Sequence, residues 1–74
     1  MVHDRIVRNP KIMSGQPVVA GTRIPAATIL NDLATGSTEQ EILEDYPSLT
    51  LEDIRAVLAF ASAVLNADRS VAAE

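Results

Sequence analysis

The chain has 74 residues, a net charge of −4 and no cysteine, which leaves room for one small domain and excludes a disulfide framework or a thiolate metal site. Apolar residues make up 47% of it, nearly all aliphatic, with one Phe and one Tyr, and no apolar run approaches the ~18 residues of a membrane span. A core of this size is marginal, and small domains without staples gain stability by oligomerising.

The start, MVHDRIVRNP, has no apolar segment of the kind a secretion signal needs, so a cytoplasmic protein is expected. RIVR reads as a short strand, and Asn9-Pro10 as a turn. After Pro17, the residues VVAGTRI favour a strand, a tight turn at Ala20-Gly21 and a short return strand. Pro25 ends that strand and suits the first position of a helix, where its missing N–H costs nothing. The spacing then predicts three helices. The first runs from about Pro25 to Thr35, with Ile29, Leu30 and Leu33 on one face and Gly36 as its stop. Ser37 caps the second in a capping box with Gln40, and Pro47 closes it. Thr50 caps the third, with Glu52 and Asp53 placed to favour the positive helix end. Its apolar stripe is Leu51, Ile54, Val57, Leu58, Ala61, Val64 and Leu65. The organisation is a single domain over 1–74: a β-hairpin arm at about 5–24, a three-helix unit at 25–66 and a tail at 69–74 that frays.

Charge is unevenly distributed. Residues 1–27 carry Arg5, Arg8, Lys11 and Arg23 against Asp4 alone, a net +3, whereas residues 28–74 carry Arg55 and Arg69 against nine carboxylates, a net −7. A basic front and an acidic back predict two different surfaces or a self-complementary assembly. The exposed apolar N-terminal strand, added to the marginal core, predicts a homodimer formed by pairing or exchange over residues 5–24.

No catalytic constellation is legible, and no enzyme is expected. His3 is the only histidine and lies at the terminus, and no serine has a basic neighbour to activate it. The loop with Gly15, Pro17, Gly21 and Pro25 lacks the run of free N–H groups that a phosphate cradle needs. Glu41, Glu44 and Asp45 read as the solvated side of a short helix rather than a metal cluster. No cofactor, metal or small-molecule substrate is expected. Two short helices followed by a longer one match the outline of a helix-turn-helix. The leading turn of the third helix presents Glu52 and Asp53 before Arg55, and those carboxylates repel phosphates. Arg5, Arg8, Lys11 and Arg23 are therefore the first candidates for DNA contacts, with Arg55 as the competitor in the ordinary pose. For Arg23 the favoured role is an ion pair to Glu44, Asp45 or Glu52, ahead of a phosphate contact.

Residues 5–65 resemble domain-of-unknown-function family 433. The resemblance rests on two motifs: G-x-P-x-x-x-G-T-R-I-P at residues 15–25, and L-x-x-G-x-S/T-x-x-E-I-L-x-x-Y-P-x-L-T-x-x-D-I at residues 33–54. Gln16 departs from the lysine often found there and removes one basic contact. The resemblance implies a mainly α, homeodomain-like (helix-turn-helix-like) three-helix domain with an N-terminal β-hairpin extension, often dimeric. It also implies an antitoxin of a type II toxin–antitoxin pair that neutralises a PIN-like ribonuclease toxin and binds operator DNA. The alternative is a small homodimeric interaction or regulatory module with no toxin, a role that the short C-terminal tail favours.

Overall fold

The computed structural model describes residues 4–67; His3 and the tail at 69–74 lie outside them. In chain order the elements are β1 (Ile6–Val7), β2 (Val18–Val19), α1 (Ala26–Ala34), α2 (Glu39–Asp45) and α3 (Leu51–Ala67). The fold is mainly helical, with three helices in the expected order and one short antiparallel strand pair before them.

The strand pair joins β2 to a more distant segment, and the local hairpin expected from VVAGTRI forms beside it only as a single bridge. β2 pairs with β1, Ile6 opposite Val19 and Val7 opposite Val18, and the Ala20 N–H donates to the Arg5 carbonyl at 2.7 Å. The turn at Gly21 does form, with φ +81° at Gly21 and a 3.0 Å bond from the Thr22 N–H to the Val19 carbonyl. A positive φ at the third turn position is the place for glycine. Past the turn the chain does come back beside β2: Val18 bridges Pro25, the Val19 N–H donates to the Ile24 carbonyl at 3.0 Å and the Ala26 N–H to the Pro17 carbonyl at 2.9 Å, but this return pairing stays one bridge long. The reason is local. The Thr22 hydroxyl donates to the Val19 carbonyl and accepts from the Ile24 N–H, a turn-type pairing that competes with a ladder, and Pro25 has no N–H to extend one.

The ten residues between the strands form a tightly bonded connection. The Asn9 side chain accepts the Lys11 N–H at 2.9 Å, and the Ile12 N–H donates to the Asn9 carbonyl at 2.8 Å. Met13, Ser14 and Gly15 then take three successive positive φ values, 51, 58 and 83°. Two of the three carry a Cβ, at roughly 1–2 kcal/mol of strain each.

Helix ends are set by specific bonds. Pro25 sits one position earlier than expected, as the residue flanking α1 (φ −66°, ψ 142°), and its carbonyl accepts the Thr28 N–H. α1 ends in a Schellman motif: Gly36 at φ +106°, its N–H bonded to the Leu33 carbonyl and the Ser37 N–H to the Asp32 carbonyl. That motif explains a second correction. The cap of α2 is Thr38 with Glu41, reciprocally bonded at 3.1 and 2.9 Å, not Ser37 with Gln40. The Ser37 N–H is already committed to α1, and a carboxylate is a stronger acceptor than an amide.

Ile29, Ile42, Ile54 and Val57 bring all three helices together and are fully buried with Val19, next to Ile6 and Leu49. The strand pair thus contributes Ile6 and Val19 to the core of the helices. Ile6, Val18 and Val19 are all buried, which removes the exposed apolar strand from which dimerisation over 5–24 was expected.

Candidate functional site

The N-terminal end of α3 carries three linked side-chain hydrogen bonds that tie two distant parts of the chain together. Thr50 and Asp53 form a capping box: the Asp53 N–H donates to Thr50 Oγ1 at 3.2 Å, and the Thr50 N–H donates to Asp53 Oδ2 at 3.0 Å. The second oxygen, Asp53 Oδ1, accepts from Arg5 Nη1 at 3.1 Å. One carboxylate thus closes the helix end and fastens the chain just before β1 to it. The Asp53 side chain is 12% exposed and the Arg5 side chain 51%. A charge this far from water has to be paired, whereas the guanidinium keeps donors facing solvent. Sequence reasoning gave Asp53 a helix-dipole role and a place among the carboxylates that repel phosphate, but no side-chain partner. The signal available was Thr50-x-x-Asp53, a capping box with the shorter acid in place of Glu; nothing in the sequence pointed to Arg5, 48 residues away.

Arg5 and Arg55 line the same shallow hollow of about 290 Å³, with Glu52, Ala56 and Ala59. The two rival DNA-contacting groups, one from the strand end and one from the helix, therefore occupy a single surface. The structure does not bring the other three candidates into that hollow. Arg8 and Lys11 are exposed on the connection between the strands, and Arg23 is exposed beyond the Gly21 turn. Among the described residues Arg23 makes no ion pair, so the expected bridge to Glu44, Asp45 or Glu52 is absent. Those carboxylates have other surroundings: Glu44 accepts from Gln40 Nε2 along α2, and Glu52 faces the hollow.

A second, apolar surface lies further along α3. A groove of about 340 Å³ runs between the first turns of α1 and the last turns of α3, lined by Ala26, Ala27, Leu30, Phe60, Val64 and Leu65 among others. Val64 is 50% and Leu65 73% exposed, although both continue the stripe that Ile54 and Val57 bury. Asp53 and Val64 are separated by roughly 16 Å along the helix at 1.5 Å per residue, so the polar and apolar surfaces are distinct. Among the described residues no three acidic or histidine side chains gather as a metal site, and no helix is long and apolar enough to cross a membrane.

A family model described as "Protein of unknown function (DUF433)" matches residues 6–61. The chain is 38% identical over 58 residues to uncharacterized protein y4eO of Sinorhizobium fredii, covering 78% of this chain and 26% of that protein. It thus spans about a quarter of that relative's length. The crystal structure of a DUF433 member protein from Anabaena variabilis superimposes with a TM-score of 0.79 at 32% identity, covering 97% of this chain and 72% of that one.

Proposed function

The chain belongs to the DUF433 family, and from that premise we propose that it is a binding protein rather than an enzyme: the cytoplasmic antitoxin of a type II toxin–antitoxin pair. It neutralises a PIN-like ribonuclease and contacts operator DNA through Arg5 and Arg55. The observation that carries the DNA contact is the shared hollow at the start of α3, the end from which the second helix of a helix-turn-helix addresses the major groove. Arg5 reaches it from the strand and Arg55 from the helix; Arg5 balances the Asp53 carboxylate to which it is bonded, and Arg55 offsets the repulsion from Glu52. The net charge of −4 keeps non-specific affinity low and makes the local pair decisive. The open apolar groove supports the second reading, an interaction module with no toxin, because it offers a protein-binding surface that needs no nucleic acid.

The test is a fluorescence-anisotropy titration on the protein's own promoter at several salt concentrations. Arg55→Ala should flatten the slope of log affinity against log salt by about one unit, and Arg23→Ala should leave it unchanged. Arg5→Ala alone is a poor probe, because it also removes the partner of Asp53. Absence of binding by the wild type, alone or co-expressed with a nuclease encoded in the adjacent reading frame, would sink the antitoxin reading and leave the interaction module.

A further inference from the structure

Four charged side chains meet at the start of α3: Arg5, Glu52, Asp53 and Arg55. Asp53 is fully committed, since Oδ1 accepts from Arg5 Nη1 and Oδ2 from the Thr50 N–H. Glu52 and Arg55 are not. Both are exposed and both line the hollow, yet among the described residues neither makes an ion pair or a side-chain hydrogen bond. Arg55, Ala56 and Ala59 lie three, four and seven positions after Glu52, which puts all four on one face of the helix. The two alanines leave that face low enough for a groove edge to come close.

We infer that Glu52 is the base-reading residue of this surface, and that the base it reads is a cytosine in the major groove. The inference rests on the DNA contact proposed above and adds the source of its sequence preference. Arg5 balances Asp53 and Arg55 balances Glu52, so the hollow as a whole holds phosphate weakly. It favours instead a partner that offers donors as well as acceptors. A carboxylate only accepts, and the base edges differ in what they give it. Cytosine presents its N4 amino group, whereas guanine presents two acceptors and thymine its O4. Adenine offers N6–H beside the N7 acceptor, which repels a carboxylate. Glu52 therefore selects by rejection as much as by attraction. Position suits this task. Glu52 is the second residue of α3, and the opening turn of the second helix is the part that reaches base edges in a helix-turn-helix. Arg55 stands one turn behind, placed for a flanking phosphate. Asp53, the neighbouring carboxylate, is excluded by the two bonds it already makes.

Selection of bound duplexes from a randomised pool tests this, using the full chain alone and co-expressed with the nuclease of the adjacent reading frame. Wild-type sites should share one cytosine position whose replacement weakens binding about tenfold. Glu52→Gln should turn that position to adenine, because a Gln amide matches N6 and N7 together. Glu52→Ala should leave the position unspecified while binding mixed-sequence DNA at least as tightly as the wild type. Arg55→Ala should weaken binding to every sequence and keep cytosine preferred. Glu52 is exposed and stands outside the Thr50–Asp53 capping box, so unchanged far-ultraviolet circular dichroism and melting temperature should show that both Glu52 variants are folded. A cytosine preference that survives Glu52→Ala would overturn the inference and leave the DNA contact standing, as would wild-type sites with no common cytosine. Recovery of no duplex by the wild type in either form would overturn both.

Discussion

The two halves of α3 share one apolar periodicity and differ in almost everything else. In the first half, Asp53, Ile54, Ala56 and Val57 are buried, the helix end is closed by a capping box, and Arg5 ties it to the strand pair. In the second half the same stripe runs out past α1 and leaves Val64 and Leu65 in solvent. Burial on a helix is set by the length of its neighbours, not by its own pattern. A stripe that repeats every three or four residues states which face is apolar; it does not state how far along the helix that face is covered.

Substitutions along α3 put this contrast to the test. The largest effect is expected at Ile54, fully buried between all three helices: Ile54→Ala should cost about 2–5 kcal/mol in urea unfolding, a large share of the stability of so small a domain. Next comes Asp53→Ala, which leaves the Thr50 N–H and the Arg5 guanidinium without their acceptor, at about 1–3 kcal/mol. Arg5→Ala should cost less than ~1 kcal/mol, because Arg5 is half exposed and solvent screens the pair. Equal losses at Asp53 and Arg5 would mean that the ion pair, rather than the cap, holds the helix end. The smallest change belongs to the exposed second half: Leu65→Ala should stay within about 0.5 kcal/mol of wild type. A loss at Leu65 comparable to that at Ile54 would erase the distinction between the two halves.

What the sequence reveals follows the range of the interactions involved. The helices were legible because their periodicity and stops are local: α1 ends where the Gly36 N–H reaches back three residues to Leu33 and the Ser37 N–H five to Asp32. The cap of α2 was displaced by one residue because Ser37-Gln40 and Thr38-Glu41 both satisfy the capping-box pattern. Only the Schellman bond made by the Ser37 N–H decides between them. The pairing of β2 was read only in part for the opposite reason. The local return was legible and forms as a bridge from Val18 to Pro25, whereas the longer pairing on the other edge of β2 comes from Ile6, thirteen positions before Val19. Of the candidate site, the basic residues were legible as a set. Their grouping was not, because Arg5 and Arg55 become neighbours only when the strand packs against α3. Arg23 illustrates the limit from the other side: its expected carboxylates are present in the chain, but they have other surroundings.

The clasp between Arg5 and Asp53 has a consequence for the order in which the molecule can be completed. During synthesis β2 follows β1 closely, so the strands can meet as soon as both have left the ribosome. Their anchor on α3 is made only after a further 48 residues have been added to Arg5. At the usual 5–20 residues per second that interval is about 2–10 s, during which Ile6 lacks the α3 part of its core. Any stop, pause or cleavage before α3 leaves the strand pair without its anchor, so a later segment locks an earlier one in place.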